Sequence, residues 1–338
     1  MVAKAPPGGY LVNCMTPETT IVDLALAVSW EYDEPFAELI EKAVQEAGMR
    51  SYIVRAFNVS ETLEKLRKKT LAFRFLLDRA SDEDPTFHPL LHWANRPRTG
   101  GDRRVSVINA PHHLARAADK ATMHLELIAH GIHTPYTIII SPYAHNREVE
   151  LSITELANLG RPFVIKPANT TGGGIGVVTG AESLKDIIAA RQHHRNDKYL
   201  LQKFITPVLL GDRRAWFRVF YAFGETMLCW WDDLTHVYEE VSADEEHRFG
   251  LEGFHAIGRQ VSEICALEFF SSEVALTDDG TPVVVDYVNE VCDMRLKSRH
   301  RDGVPDAVVQ RIIQALTHFL GRTSSEEGNP GGHDIFGC

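Results

Sequence analysis

A glycine-rich segment directly follows an apolar run that ends in a lysine, within residues 162–177. The run Phe-Val-Ile favours a β-strand, and Lys166 places a positive charge at its end. Because glycine lacks a Cβ, the backbone beyond the lysine can bring consecutive N–H groups together on an anion. The positions concerned are Gly172, Gly173, Gly174 and Gly176. This layout predicts a phosphate-binding loop, although glycines alone are more typical of a mobile hairpin.

Length and charge limit the functions that such a loop can serve. The chain has 338 residues, 44% of them hydrophobic, which predicts two or three compact units at about 150 residues each. The formal net charge is −11 and the basic residues are scattered. This pattern argues against a nucleic-acid partner, while a small anionic ligand can still bind to local positive charge.

The cysteines and the absence of targeting segments favour a cytoplasmic protein. Five widely spaced cysteines form no Cys-x-x-Cys pair, so neither a disulfide framework nor a cysteine zinc site is predicted. No apolar signal segment is present at the N-terminus, and no stretch approaches the roughly 18 apolar residues of a membrane span. We therefore expect no membrane partner.

Histidine and serine chemistry have little support. The sixteen histidines include adjacent pairs such as His112-His113, whose members we expect on different sides of a helix. Neither His-Glu-x-x-His nor Gly-x-Ser-x-Gly occurs. We therefore predict no histidine metal site and no nucleophilic serine.

The first hundred residues alternate between strand-like and helix-like segments, which is typical of a parallel α/β domain. The predicted strands are residues 21–30, 51–56, 71–77 and 105–109, and the predicted helices are residues 35–47, a helix opened by Ser60, and residues 89–93. Residues 81–104 are polar and rich in Pro and Gly, and we expect them to form an elaborated connection.

An α+β region on an antiparallel sheet is predicted beyond these residues. One long helix should lead from the strand at 105–109 to Gly131, and Pro135 should introduce a new strand. The remaining predicted elements are helices at residues 182–193, 253–267 and 305–320, and strands at residues 199–205, 217–223 and on both sides of the turn 277–280. The tail, residues 321–338, should be disordered.

Four motifs, in order along residues 105–320, resemble those of the ATP-grasp superfamily. Within it the chain is similar to the branch of bacterial glutathione synthetase and of the glutamate ligase that modifies a ribosomal protein. The motifs are Asn-x-Pro…Asp-Lys…Gly-Ile-x-Thr-Pro, the strand-Lys-Pro segment with its glycine loop, Leu-Leu-Gln-Lys-Phe-Ile, and Val-Val-Val-Asp-Tyr-Val-Asn-Glu.

The resemblance implies an ATP-grasp fold of combined α/β and α+β type. The implied domains are an N-terminal extension (1–20), a parallel pre-ATP-grasp α/β domain (21–110), an ATP-grasp domain (111–320) with a central lid subdomain (about 135–205) and an antiparallel C-terminal part, and a disordered tail (321–338).

The resemblance also assigns nucleotide-binding residues. In the family two lysines neutralise phosphate oxygens, and Lys120 and Lys166 match them, with the glycine loop as a lid over the phosphates. The adenine-contacting linker matches Gln202, Lys203, Phe204 and Ile205, where the backbone of Lys203 and Ile205 would face the ring edge.

Two further matches are less direct. Asp212 resembles the acid that holds the ribose hydroxyls, although an Asp after Gly is usually a turn residue. For the arginine that binds the γ-phosphate, Arg218 is preferred to Arg214 because it precedes Val-Phe-Tyr-Ala-Phe-Gly-Glu. The spacing from Gln202 to Arg218 is longer than usual, so Asp212 and Arg214 stay open.

The family's metal ligands are an acid, a second acid and an asparagine, and Glu273, Asp286 and Asn289 match them. The usual acid-x-Asn spacing is here Asp-x-x-Asn, followed by Glu290, so either Asp286 or Glu290 can be the bridging acid. Oxygen donors of this kind suit Mg²⁺. The resemblance implies ATP and two Mg²⁺ ions, with Mn²⁺ as a possible substitute.

The implied activity is ATP-dependent ligation of a carboxylate to an amine through an acyl phosphate, with a small molecule or peptide as substrate. Arg295 would anchor a substrate carboxylate. Relatives of this type form homodimers or homotetramers. Two alternatives stay open: a kinase that phosphorylates a hydroxyl on the same scaffold, and an ATP-binding module without turnover.

Overall fold

The first sheet contains four parallel strands. They are β1 (Thr20–Val28), β2 (Ser51–Val54), β3 (Leu71–Arg79) and β4 (Ser106–Ile108). The order of these strands in the sheet is β2-β1-β3-β4. The structure is a computed structural model and describes residues 19–97, 105–170 and 174–326. The parallel sheet predicted from the alternating pattern is confirmed.

Helices cover this sheet on two faces because its strands carry apolar side chains on both sides. Leu24 shares a core cluster with residues of α1 (Glu34–Glu46), whereas Val22 shares another with residues of α2 (Val59–Arg67) and α3 (His88–Asn95). Helix α3 forms part of the connection predicted at residues 81–104; residues 98–104 lie outside the described residues.

The single long helix predicted up to Gly131 is wrong. Two helices occupy this stretch, α4 (Pro111–Ala118) and α5 (Lys120–Ala129). Asp119 has an extended backbone (φ −75°, ψ 98°), and its carboxylate accepts the backbone N–H groups of residues 121 and 122. The aspartate therefore ends α4 and caps α5, which makes Lys120 the first residue of a helix.

The second sheet is antiparallel and is crossed by two short helices. Its strands are β5 (Thr137–Ile140), β6 (Phe163–Pro167), β7 (Val178–Ala181) and β8 (Tyr199–Lys203), in the order β5-β8-β6-β7. The helices are α6 (Ile153–Leu159) and α7 (Leu184–Ala190). Each helix opens with a capping box, so a serine hydroxyl and an acidic side chain fix its first turn.

The third sheet has five antiparallel strands, and a small hairpin precedes it. The hairpin consists of β9 (Leu209–Leu210) and β10 (Arg213–Arg214), and the sheet strands are β11 (Trp216–Ala222), β12 (Glu225–Asp232), β13 (Val237–Glu240), β14 (Phe269–Leu276) and β15 (Pro282–Asn289). Their order is β13-β12-β11-β14-β15. The associated helices are α8 (Ala243–Phe249) and α9 (Gly253–Cys265). The antiparallel region predicted from the turn-flanked strands is confirmed.

The last helix, α10 (Asp306–Glu326), continues six residues beyond its predicted end at Leu320. The ring of Phe319 packs against Phe75 and Phe223, and Thr323 donates a hydrogen bond to the Phe319 carbonyl. Because α10 packs against the first sheet, it extends to Glu326, beyond the start of the tail expected to be disordered at residue 321. Residues 327–338 lie outside the described residues.

Side chains of the described residues bear on two further expectations. Cys229, Cys265 and Cys292 are free and buried, while Cys14 and Cys338 lie outside the described residues. The expected separation of the adjacent histidines is wrong for His112 and His113, whose ring centroids lie 3.9 Å apart in the first turn of α4. No described helix is both long and apolar enough to span a membrane.

A buried ion pair joins the first sheet to the segment after β15. Arg79 donates two hydrogen bonds of 2.8 Å to the Asp33 carboxylate and a third of 2.8 Å to the Cys292 carbonyl. Arg79 and Asp33 are 4% and 2% exposed. Either charge would be costly to leave buried without the other.

We expect Asp33→Ala to lower the free energy of unfolding by about 3–5 kcal/mol, because the Arg79 charge would lose its partner in a buried site. Denaturant unfolding measures this change. The matched control is Glu46→Ala, which removes an exposed ion pair with Lys42 and should change stability by less than about 1 kcal/mol. Equal effects of the two substitutions would contradict the assignment.

Candidate active site

Three neighbouring strands of the third sheet place an arginine and two acids in one row. Arg218 on β11 lies opposite Glu273 on β14, and Glu273 lies opposite Asp286 on β15. Residues directly opposite each other share a face of the sheet. Arg218 Nη2 lies 2.7 Å from Glu273 Oε1, so the row contains one direct ion pair.

A β-bulge brings Asn289 to the same face. Asn289 lies opposite Ser271, and Asp286 lies opposite Glu273. The two positions from 271 to 273 on β14 are therefore matched by three positions from 286 to 289 on β15. The extra residue of the Asp-x-x-Asn spacing is absorbed by the bulge. Because Ser271 and Glu273 are two residues apart on one strand, their partners share a face, and the three candidate oxygen donors lie together.

Two lysines approach this row at Asp286. The distances from Asp286 Oδ1 are 3.4 Å to Lys120 Nζ and 3.9 Å to Lys166 Nζ. The N–H of Lys120 at the start of α5 donates to the carbonyl of Ala168, and Lys166 Nζ donates to the carbonyl of Val285 at 2.9 Å. The structure therefore brings together the two lysines predicted from separate motifs.

Burial and mutual charge set the electrostatics of the group. Burial lowers the pKa of Lys166; Asp286 opposes this shift and Lys120 adds to it. Burial alone would raise the pKa of Asp286, but Lys120 and Lys166 outweigh it and hold that pKa below its usual value. Asp286 is therefore ionised and neutralises charge that would otherwise be buried without a partner.

The guanidinium of Arg218 is only partly satisfied. It is 4% exposed, and its carbon atom lies 4.6 Å from the centroid of the buried Trp231 ring. Within the described residues, Arg218 Nε and Nη1 have no hydrogen-bond acceptor. Buried donors without partners are rare, so the group has capacity for an additional anion.

The alternative arginine is used elsewhere. Arg214 Nη1 forms an ion pair of 2.7 Å with Asp233, and Arg214 lies in the β9–β10 hairpin. The placement of Arg218 beside Glu273 favours the preference stated from the sequence.

The described part of the glycine loop has the backbone geometry that glycine permits. Gly174 and Gly176 have φ values of +75° and +78°. A Cβ at Gly176 would lie 3.1 Å from His194 Cδ2 and 3.2 Å from Pro167 Cγ, so space also favours glycine there. Gly172 and Gly173 lie outside the described residues.

The predicted adenine linker starts in a buried position and runs outward. Gln202 is 1% exposed, Phe204 is 39% exposed, and Ile205 packs partly against a core cluster. The N–H of Lys203 donates to the carbonyl of Tyr136 at 2.8 Å, so this donor is already occupied by the second sheet. Of the backbone groups expected to face the adenine ring, the Lys203 N–H is thus not free.

Asp212 is not brought to the charged group. It lies exposed beside Gly211, at the tip of the β9–β10 hairpin, where Gly211 has φ +67°. Within the described residues its carboxylate has no hydrogen bond or ion pair, which agrees with a turn residue.

The Glu290 carboxylate has its hydrogen-bond partner outside the row of Arg218, Glu273 and Asp286. It accepts a hydrogen bond of 3.3 Å from Asn109, in a pocket lined by Asp78 and Asp82. Burial raises the pKa of Glu290 to about 8 against the hydrogen bond from Asn109. Among the described residues no three acidic, histidine or cysteine side chains form a group able to hold a metal. The contact with Asn109 favours Asp286, which Lys120 and Lys166 approach, as the bridging acid.

Arg295 has two aspartate partners in the structure. Its Nη2 lies 2.7 Å from Asp293 and 2.9 Å from Asp302, and its guanidinium lies 5.7 Å from the Trp30 ring centroid. The charge predicted to anchor a substrate carboxylate is thus compensated within the protein.

Sequence reasoning missed two residues beside the lysines. His124 Nδ1 lies 2.8 Å from the hydroxyl of Tyr287, which also receives a hydrogen bond of 2.9 Å from Gln202 Nε2. The Lys166 ammonium lies 5.7 Å from the Tyr287 ring centroid. Burial, assisted by the Lys166 charge, lowers the pKa of His124 to about 4. A histidine in a helix and a tyrosine in a strand carry no signal in the sequence that would distinguish them from ordinary core residues.

Comparison with known proteins supports the fold through structure alone. No protein-family model and no curated protein sequence matches the chain. A RimK domain ATP-grasp protein from Sphaerobacter thermophilus is 21% identical, with TM-score 0.58 over 88% of this chain and 98% of that one. D-alanine–D-alanine ligase from Bacillus anthracis, complexed with ATP, is 16% identical, with TM-score 0.58 over 90% and 99%.

A third solved structure is the ATP-grasp ligase PsnB with minimal precursor, Mg and ADP. It is 13% identical, with TM-score 0.57 over 89% of this chain and 99% of that one. The protein therefore has the ATP-grasp fold, and the fold implied by the sequence resemblance is confirmed.

The buried position of His124 predicts a pH dependence of stability. Its folded-state pKa of about 4 lies below the ordinary value near 6.5, so the unfolded chain binds the proton more readily. The contribution of His124 to stability should be complete above pH 6.5 and should fall by about 1.5 kcal/mol between pH 6.5 and pH 5. Glu290 contributes in the opposite direction over this interval, because its folded-state pKa of about 8 lies above its ordinary value. Denaturant unfolding at these two pH values measures the slope.

The matched variants are His124→Gln, which removes the titrating ring, and His130→Gln, which changes an exposed histidine. The first should remove the His124 contribution, so that the stability at pH 5 relative to pH 6.5 is about 1.5 kcal/mol higher than in the unaltered protein, and the second should preserve the wild-type difference. A wild-type slope in His124→Gln would assign the pH dependence to other groups.

Proposed function

We propose that the protein is an ATP-dependent carboxylate–amine ligase that forms an amide bond through an acyl phosphate. The observation that carries this proposal is the convergence of three cations, Lys120, Lys166 and Arg218, on two carboxylates. Positive charge held in a buried site is suited to phosphoryl transfer, where electrostatic stabilisation supplies most of the catalysis.

The donor set fits Mg²⁺. Glu273, Asp286 and Asn289 offer oxygen atoms on one face of the third sheet, as hard cations require. These three residues would hold the metal, which when bound would neutralise charge on the phosphates. Glu290 is left out of this set because its carboxylate lies against Asn109.

The cationic side chains would act on the nucleotide from separate elements. Lys120 and Lys166 would bind phosphate oxygens, and the free Nε and Nη1 donors of Arg218 would stabilise the charge that develops on the transferred group. The loop containing Gly174 and Gly176 would cover the phosphates and exclude water. The linker from Gln202 to Ile205 would hold the adenine ring.

The reaction needs no covalent bond to the protein. An oxygen of the substrate carboxylate attacks the γ-phosphorus of ATP, the bond to the bridging oxygen of ADP breaks, and an acyl phosphate forms. The amine nitrogen then attacks the acyl carbon, phosphate leaves, and the nitrogen loses its proton. Arg295 would bind a substrate carboxylate only by exchanging one of its aspartate partners.

The proposal is tested by measuring phosphate release from Mg-ATP in the presence of pools of amino acids, small peptides and polyols. Mass spectrometry then identifies the products. We expect free phosphate and a product equal to two substrates minus water. A phosphorylated product without free phosphate would identify a kinase instead. ATP binding without turnover in any pool would favour a binding module.

Asp286→Asn should reduce turnover at least about 100-fold, because the side chain keeps its volume but loses the charge that orders two lysines and binds metal. Phosphate release under saturating substrate measures the loss. The matched control, Asp244→Asn in the exposed first turn of α8, should retain wild-type turnover. Undiminished turnover of a folded Asp286→Asn protein would contradict the site.

Lys166→Ala should weaken ATP binding about tenfold or more, since a charge-assisted contact to phosphate would be lost. Titration calorimetry with Mg-ATP measures the affinity without any second substrate. Lys42→Ala, in an exposed ion pair of α1, serves as the control. Equal affinities of the two variants would remove Lys166 from the nucleotide site.

A further inference from the structure

One buried carboxylate holds the chain where it leaves β6. Asp197 Oδ2 accepts hydrogen bonds from the backbone N–H of Asn169 at 2.8 Å, from the backbone N–H of Thr170 at 3.2 Å and from the Thr170 hydroxyl at 2.9 Å. Asp197 Oδ1 accepts a hydrogen bond of 2.8 Å from the side-chain amide of Asn169. Asp197 is 9% exposed, so water competes little for these contacts. The conformation of residues 169 and 170 is therefore set by one acidic side chain.

The same contacts orient the carbonyl that receives the first N–H of α5. The carbonyl of Ala168 and the N–H of Asn169 belong to one planar peptide group, in which the two point in opposite directions. Because Asp197 holds this N–H, the carbonyl faces Lys120, whose N–H donates to it at 3.0 Å. The N–H of Ala168 in turn donates to the carbonyl of Lys198 at 2.9 Å. Residues 197 and 198 thus fix both peptide groups that flank Ala168.

The side chain of Lys198 makes a second connection to the start of α5. Its Nζ lies 2.5 Å from Asp119 Oδ2, while Asp119 Oδ1 accepts the N–H groups of residues 121 and 122. The two oxygens of this helix cap therefore serve different elements, the helix itself and the segment before β8. Together with the contact at Ala168, this ion pair attaches α5 at two successive residues, 119 and 120.

Lys120 depends on these attachments more than Lys166 does. Lys166 lies within β6, where it pairs with Leu200 of β8, and its Nζ also donates to the carbonyl of Val285. Lys120 is instead the first residue of a helix, so its place relative to β6 follows from the contacts of residues 119 and 120. The two ammonium groups come within 3.4 and 3.9 Å of one carboxylate oxygen, Asp286 Oδ1. Their separation is therefore sensitive to a shift of α5.

We propose that Asp197 and Lys198 are positioning residues that hold Lys120 in register with Lys166, so that both ammonium groups reach the phosphates of one bound nucleotide. This inference rests on the proposed function, in which the two lysines bind phosphate oxygens. The pair acts through Lys120 rather than on the nucleotide, because the Asp197 carboxylate is occupied by residues 169 and 170 and Lys198 Nζ by Asp119.

Preorganisation explains why this positioning matters for binding. A cation that is already in place stabilises phosphate charge without a cost of reorganisation. Without the contacts of residues 197 and 198, nucleotide binding would first have to bring the start of α5 into place. The free energy spent on that ordering would be subtracted from the affinity for ATP.

Titration calorimetry with Mg-ATP and no second substrate tests the proposal. Asp197→Ala should weaken ATP binding about tenfold, because residues 169 and 170 lose their acceptor and the carbonyl of Ala168 is no longer fixed. Asp197→Asn should stay within about threefold of the unaltered protein, since its amide oxygen can still accept from the backbone of residues 169 and 170. Equal losses in the alanine and asparagine variants would contradict positioning by hydrogen bonds.

The matched control is Asp186→Ala on α7. Asp186 also accepts backbone N–H groups, those of Glu182 and Ser183, but it caps a helix rather than the chain after β6. Asp186→Ala should bind ATP as the unaltered protein does. An equal loss in Asp186→Ala would show that any weakening of the second sheet lowers the affinity, and it would overturn the specific role of Asp197.

A double-mutant cycle separates positioning from general damage. If Asp197 acts through Lys120, Asp197→Ala should cost about twofold or less in a Lys120→Ala background, instead of about tenfold. General damage would weaken ATP binding by the same factor in both backgrounds, and this result would overturn the proposal.

Lys198→Met is the second variant, in case Asp197→Ala does not fold. It keeps the apolar stem and removes the ion pair with Asp119, so ATP binding should weaken about threefold, and less than that when Lys120 is alanine. Lys185→Met, at an exposed position of α7, should have no effect. Unchanged affinity in Lys198→Met, or the same loss in both backgrounds, would contradict the role of the pair.

The outcomes distinguish this inference from the function on which it rests. ATP binding that is weakened by Lys120→Ala but insensitive to Asp197→Ala and Lys198→Met would overturn the positioning role and leave the proposed function intact. Failure of the unaltered protein to bind ATP would overturn the proposed function and the inference together.

Discussion

The charge of Asp286 is the constraint on which the site depends. Two lysines approach one carboxylate from α5 and β6, and burial would make their charges unfavourable without it. The sheet places Glu273 beside this carboxylate, and Glu273 in turn holds Arg218. Removal of the central acid would therefore leave cations from separate elements without compensation. The order of the strands in the third sheet, rather than any single motif, makes this arrangement possible.

The sequence predicted most elements because their apolar periodicity agrees with their final environment. The strands of the first sheet are buried on both faces, and a capping serine opens several of the later helices. Prediction failed where a local interaction overrode the periodicity. Asp119 divides a continuous helical pattern by capping its second half, and α10 continues past an apolar boundary because Phe319 and Thr323 hold its last turns.

The sequence predicted which charged residues form the site, but it did not predict how strand pairing arranges them. Motif order located Lys120, Lys166 and Asp286, which the structure brings together. The unusual spacing before Asn289 left two acids as candidates. Strand pairing shows that a bulge absorbs the extra residue, and the Glu290 carboxylate accepts a hydrogen bond from Asn109. His124 and Tyr287 were missed because their importance arises from contacts between residues 163 positions apart in the sequence.

The contact of Arg79 with Asp33 and Cys292 has a mechanical consequence for catalysis. It ties the end of β3 to the segment that follows β15, and one apolar cluster spans the first sheet, the third sheet and α10. The second sheet has a core cluster on one face, while Leu200 of β8 packs in the core cluster of the third sheet. The second sheet is therefore held to the frame that carries Asp286 by this packing and by the hydrogen bond from Lys166 to the carbonyl of Val285. Any displacement of the second sheet would therefore change the distance between Lys166 and Asp286, and with it the compensation of the lysine charge.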